Sequence, residues 1–444
     1  MADTTKTVEL GTATAMPGVT QEFENATYRK VTTRLLPFCM LCYIVAYLDR
    51  VNVGFAKLQM LGDLHFSETI YGLGAGIFFI GYFLFEVPSN MILHKVGARI
   101  WITRIMITWG IISALTLLVR TPMQFYLVRF FLGAAEAGFF PGIILYLTYW
   151  YPSHRRAKMV GIFMVGIPMA GMIGGPLSGA IMSMSHGLLG WAGWKWMYLF
   201  EAIPSLIMGV ACILYLDSRI RDAKWLTEKE KQVLEYYVAQ EAKEKKEHPS
   251  LMAVFSDGRI WLMCWIYFTV ALGQYALTLW IPTLLKDAGV KGVLNIGLVT
   301  AIPYTCVAIA MVVLGASADK HRERRWHEAG PLLVGAVTLV LSMMCGATNT
   351  VLAVILLSIA AAGIIPAAPM FWALPTSFLA GSAAAAGIAW INSVANLGGF
   401  VAPFAIGYLK DVTHGNLIPM IVMAVIVAAG GLTVLALPKH MVNK

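Results

Sequence analysis

Twelve long apolar stretches, separated by short polar connections, constrain this 444-residue chain more than any other feature. They lie near 35–56, 71–93, 100–119, 123–150, 158–182, 194–216, 259–283, 293–318, 330–347, 350–378, 383–409 and 417–437. Each is long enough to cross about 30 Å of hydrocarbon at about 1.5 Å per helical residue. In lipid every backbone N–H and C=O must find a partner within the protein, which leaves helices or closed barrels. Barrel strands would read as alternating segments of about ten residues, whereas these runs are continuous. The expected fold is an all-α integral membrane protein. Only 13% of the residues are charged, about half the share of a soluble domain. That excludes a water-soluble enzyme or a disordered chain. The net charge of +9 does not point to nucleic acid, because the basic residues lie between spans and form no single stripe.

Their placement reads as topology. With the N-terminus inside, 25 of the 33 Lys and Arg fall in inside segments. Six fall in outside loops (Lys57, Arg120, Lys195, Lys286, Lys291 and Lys410), and Arg50 and Arg129 lie within spans. This asymmetry predicts cytoplasmic termini. The polar first 34 residues carry no apolar core of a cleaved leader. The organisation expected is a cytoplasmic segment over 1–34, six spans over 35–216, a charged linker over 217–258, six spans over 259–437 and a tail over 438–444. Within the linker, Thr227 and Glu230 have capping-box spacing, and Val233, Leu234 and Tyr237 form an apolar stripe. A helix lying on the cytoplasmic face and a solvated linker both fit. Matched features in the halves, His94 with Asp319 and Gly161-Ile162 with Gly387-Ile388, recur at offsets of 225 and 226. Two repeated halves place a transporter's site at their interface.

An ionisable group inside a membrane needs a partner, water or a function. In the first span Tyr43, Tyr47 and Arg50 share a helical face, and Asp49 is turned about 100° away. In the fourth, Arg129 and Glu136 are two turns apart on one face. One reading of Asp49–Arg50 and Arg129–Glu136 is as ion pairs that fix helix positions. The other is an anion site: arginine suits bidentate carboxylate binding, and carboxylates in an apolar setting carry protons near neutral pH. Tyr82, Gln274, Tyr275, Trp372, Asn392 and Asn396 are further candidates for the cavity wall. For each asparagine, interhelical bonding fits as well as ligand contact. Glu86 and Glu201 read as structural. Cys39 and Cys42 form a CxxC without a redox context and read as small hydrophobes. No Walker motif, zinc-ligand spacing or GxSxG occurs, so neither a metal nor an organic cofactor is expected.

Tyr47-Leu48-Asp49-Arg50-Val51-Asn52-Val53-Gly54-Phe55-Ala56, Phe85-Glu86-Val87-Pro88-Ser89-Asn90 and the run Arg129 to Gly142 resemble the anion:cation symporter family of the major facilitator superfamily. The likeness runs from about residue 28 to 437. It implies twelve transmembrane helices in two six-helix bundles, alternating access, and proton-coupled import of a small organic anion across a bacterial inner membrane. Tartrate, sugar acids and aromatic acids are the substrates of bacterial members. By motif position Arg50 would bind the substrate carboxylate. Asp49 and Glu136 would take protons, with Arg129 tying Glu136 into the coupling. Tyr47, Tyr82 and Asn396 match positions that contact a sugar acid in relatives; Gln274, Tyr275, Trp372 and Asn392 are added from location. Lys95, Gly97, Arg99, Asp319 and Lys320 match the loop motif, in which His94 stands where an acid is usual. The partners implied are the anion, protons and lipid, with a monomer expected. An exchanger or facilitator of the same fold, and a drug exporter, are the alternatives.

Overall fold

The computed structural model describes residues 16–244, 257–372, 374–375 and 381–438. Residues 1–15 of the expected N-terminal segment, 245–256 of the linker and 439–444 of the tail lie outside the described residues. All regular structure among these residues is helical: α1 (Gln21–Leu64), α2 (Glu68–Val96), α3 (Ala98–Leu115), α4 (Pro122–Glu136), α5 (Phe139–Thr148), α6 (Ser153–Met164), α7 (Gly166–Met184), α8 (Gly193–Tyr215), α9 (Glu228–Glu244), α10 (Gly258–Asp287), α11 (Val293–His321), α12 (Arg325–Cys345), α13 (Thr350–Ile364), α14 (Ala367–Phe371), α15 (Gly381–Thr413) and α16 (Leu417–Ala436), with short 3-10 turns between some of them. Eleven spans long and apolar enough to cross a bilayer are found among the described residues. The 33-residue α15 occupies the place of the remaining expected span.

Local chemistry starts these helices where the turns require it. Thr20, Ser67 and Asn349 each accept a hydrogen bond from the third backbone N–H beyond them. Thr121 and Gln124 form a reciprocal capping box, with Pro122 in the first turn. Such caps satisfy donors that a helix leaves bare. Three expected spans are broken helices, among them the fifth, which divides between α6 and α7 at Val165. The fourth divides between α4 and α5 at Gly138, whose φ of +86° suits glycine and where a Cβ would meet Ser89 Cβ at 2.6 Å. The tenth divides at Pro366, between α13 and α14. α9 lies against α1: Tyr237 donates to Glu24 and Lys30 pairs with Glu230.

The spans form two halves, α1–α8 and α10–α16. The most extensive contacts between them pair α7 with α11 and α2 with α15. These seams are made of glycine. A Cβ on Gly175 would sit 2.8 Å from the Gly297 carbonyl oxygen, and one on Gly76 2.8 Å from that of Phe400. α1 meets α10 the same way, at Gly54 and Leu279. Small residues let backbones approach where lipid supplies no hydrophobic drive.

The seams converge on one end of the molecule, the far end, which carries the turns at 65–67, 288–292 and 414–416. Charges lock the halves there. Lys57 Nζ lies 2.6 Å from Glu68, and Lys410 Nζ lies 3.2 Å from Glu68 and 3.1 Å from Asp287. Asp411 accepts from the backbone N–H of Glu68 and Thr69 at the start of α2. Lys57 was expected in an outside loop. It instead lies within α1, 4% exposed, its ammonium 3.3 Å from the centre of the Trp280 ring. An ion pair and an aromatic face together compensate that burial.

Replacing Gly175 with Val puts a side chain against backbone only when the far end is shut. Spin labels at His65 and Lys291, both exposed, placed in a variant without native cysteines, would then report a wider gap. An unchanged distance distribution would show that the seam does not control closure.

Candidate functional site

Midway along the bundle a cavity of about 70 Å³ lies between the halves. The first half contributes Tyr43, Tyr47 and Arg50 from α1, with Phe79 and Tyr82 from α2. The second contributes Tyr267, Gln274 and Tyr275 from α10, with Asn392 and Asn396 from α15. Seven of the eight residues proposed from sequence for substrate contact thus share one wall. Trp372 packs instead against Tyr267 and Phe371.

Arg50 is the cation of this wall. Its Nε donates to Glu136 Oε1 at 3.0 Å, and an Nη reaches the same oxygen. The side chains are 11% and 3% exposed. The guanidinium lies 5.2 Å from the Tyr82 ring centre and 5.5 Å from that of Phe78. The pairing joins α1 to α4, so the two same-helix combinations read from spacing are not the ones formed. The helix break at Ala137-Gly138 leaves Glu136 as the last residue of α4, facing α1. Arg129 is fully buried, 4.8 Å from the Phe78 ring centre, with its Nε donating to the Gly74 carbonyl. Its two terminal nitrogens make no hydrogen bond among the described residues.

Asp49 turns away from the cavity, into the first half. It accepts from Trp109 Nε1 (2.7 Å), Ser205 Oγ (2.5 Å), Ser113 Oγ (3.1 Å) and Asn52 Nδ2 (3.4 Å). It ties α1 to α3 and α8 through neutral donors. Glu201 is likewise buried and accepts from Ser178 Oγ at 2.6 Å.

Glu86 was read as structural from sequence, yet it reaches across the interface. Its Oε1 accepts from Asn392 Nδ2 at 3.1 Å and its Oε2 from Asn396 Nδ2 at 3.3 Å. The available signal was its face: Phe79, Tyr82 and Glu86 follow helical spacing on α2. Of the loop motif, Gly97 has φ +91°, and Arg99 Nε donates to the Ile213 carbonyl at 2.6 Å. Lys95, Asp319 and Lys320 are exposed. His94 Nδ1 lies 2.8 Å from Tyr149 Oη, so the histidine ties α2 to α5. A hollow of about 470 Å³ at the far end is lined by Asp287, Lys410, His414 and Asn416. Its Asp287 and Lys410 already pair with each other.

Residues 39–403 match the family model described as Major Facilitator Superfamily. The chain belongs to the major facilitator superfamily. It is 47% identical over 421 residues to the "Putative metabolite transport protein NicT" of Pseudomonas putida, covering 95% of this chain and 96% of that one. It is 49% identical to a "Putative tartrate transporter" of Agrobacterium vitis (89% and 87% covered) and 42% to a "Quinolone resistance transporter" of Acinetobacter baumannii (89% and 91%). Among solved structures, a bacterial homologue of the human lysosomal transporter Spinster, inward-facing and unoccupied, superposes with a TM-score of 0.76 at 16% identity. It covers 95% of this chain and 98% of its own. The protein is thus an integral membrane transporter of this superfamily.

The Asp49 cluster makes a stability prediction. Asp49→Leu strands an indole N–H and two hydroxyls, each costing about 1–3 kcal/mol when buried without an acceptor. Asp49→Asn keeps an acceptor there. Melting of the detergent-purified protein should fall sharply for the first and much less for the second; equal losses would show that the donors do not depend on that oxygen.

Proposed function

We propose that the protein imports a small organic anion, a hydroxydicarboxylate such as tartrate or a sugar acid, together with protons. The proposed setting is a bacterial cytoplasmic membrane, with both termini and α9 on the cytoplasmic side. One observation carries this reading: the arginine that lines the central cavity is held by a carboxylate, Glu136. Protonating Glu136 neutralises the partner and frees Arg50 for a substrate carboxylate. When the substrate leaves, the guanidinium recaptures Glu136 and drives the proton off. Neither step alone is favourable, because an arginine left buried without a partner costs about 3–5 kcal/mol. Proton and anion therefore move together. Arg129, near the same Phe78 ring, adds positive potential behind the pair. Asp49 stays in this reading as a proton site within the first half, turned away from the substrate. Tyr47, Tyr82, Gln274 and Tyr275 supply hydroxyl and amide contacts, and the aromatic faces would also accept an aromatic acid.

Export is the second reading, since one relative is named for quinolone resistance. The two readings separate in proteoliposomes with an imposed inward proton gradient and a panel of tartrate, hexonates, hexarates, aromatic acids and a fluoroquinolone. Gradient-driven uptake of one acid is expected. It should fall at least tenfold in Arg50→Ala. Glu136→Gln should abolish accumulation while keeping exchange of labelled for unlabelled acid. Drug transport against the gradient would replace this reading with export. Accumulation that needs a counter-anion inside and ignores the proton gradient would replace it with exchange.

A further inference from the structure

We propose that Glu86 is a second displaceable carboxylate of the transport site: it occupies the Asn392–Asn396 amide pair until a substrate's second carboxylate takes its place and Glu86 takes up a proton. The inference rests on the import reading above and deepens it. It assigns the substrate class, a dicarboxylate, and a residue that couples a second proton.

The argument begins with what the two amides face. Asn392 and Asn396 are one turn apart on α15 and line the same cavity as Arg50. Both donors end on Glu86, one on each oxygen. Glu86 is only 8% exposed and forms no ion pair among the described residues. The charged and titratable groups that face it are Arg50 from α1, Tyr82 from its own helix and Tyr267 from α10. A carboxylate held by two neutral amides in an apolar interior is held more weakly than one paired with arginine. It is therefore the easier of the two to displace.

The occupied donors support displacement. A diacid's carboxylates reach Arg50 and the amide pair only where the protein groups seated on them give way. The groups already seated on the anion-binding donors are Glu136, on Arg50, and Glu86, on the amides. Both belong to the first half and both are chemical stand-ins for a carboxylate.

Their placement fits one ligand: Arg50 of the first half and Asn392 and Asn396 of the second line the same cavity. The exchange also balances in charge. Two substrate carboxylates replace two protein carboxylates, which each bind one proton, so a dianion moves with two protons and no net charge. Release reverses each step. Glu86 then again bridges α2 of the first half to α15 of the second.

Calorimetry tests this without needing transport. Tartrate is titrated into detergent-purified wild type, Glu86→Gln and Glu136→Gln, in buffers of different ionisation enthalpy at neutral pH. The slope gives protons taken up per acid bound. Wild type should approach about two, and each variant should lose about one. An Asn392→Ser, Asn396→Ser double variant guards against misfolding of Glu86→Gln. It should weaken tartrate at least tenfold while leaving a monocarboxylate of equal length within about threefold. A Glu86→Gln proton count equal to wild type, or equal weakening of both acids by the double variant, would reduce Glu86 to a tie between helices. The proteoliposome experiment judges the import reading separately. Uptake that follows the proton gradient with a wild-type count of one would keep import and remove this inference.

Discussion

A guanidinium cannot sit in the middle of a membrane protein without something to balance it, and the Arg50–Glu136 pair is how this chain meets that constraint. The surrounding structure follows from it. The break at Gly138 ends α4 on Glu136, so that the carboxylate comes to a helix end facing α1. Phe78 and Tyr82 offer their ring faces to the arginine. Asp49, the next residue along α1, points the opposite way into a nest of indole, hydroxyl and amide donors. Two adjacent ionisable residues thereby avoid each other and brace different contacts. On the proposed reading the pair is also the engine: it opens only when a proton and an anion replace what each partner loses.

The halves meet through different chemistry at two depths. At the far end the halves meet through Lys57, Glu68, Lys410 and Asp287, and through Asp411 on the first turn of α2. At mid-depth they meet through Glu86 and two amides. The first set joins opposite charges beneath an aromatic face. The second joins neutral amide donors to a carboxylate, whose place a ligand's own oxygens can take. Ligand chemistry acts directly only on the second.

Much of this was legible in the sequence, for reasons that can be named. Length and apolarity announced the spans, because lipid permits little else. The face shared by Tyr43, Tyr47 and Arg50 placed them at the cavity, because helical periodicity survives folding. The partner of Arg50 was not legible: spacing along one helix says which residues share a face, not which helix lies opposite. The partners of Glu86 were not legible for the same reason: Asn392 and Asn396 lie some 300 residues away. Lys57 lies just past the apolar run at 35–56, so its place within α1 is not legible from hydropathy. The structure supplies Trp280 and Glu68 as its surroundings, and neither is a neighbour in α1.

The glycine seams have a consequence for the ease of rearrangement. A contact built from side chains must freeze their rotamers each time it forms, and long ones cost up to about 2 kcal/mol apiece. Gly175 on Gly297, Gly76 on Phe400 and Gly54 on Leu279 meet largely through main chain that is already helical. Such a seam has almost no disorder to surrender on closing and almost none to regain on opening. On the proposed transport cycle, its shut and open forms would lie near one another in conformational entropy, with the balance left to a handful of charges and whatever occupies the cavity.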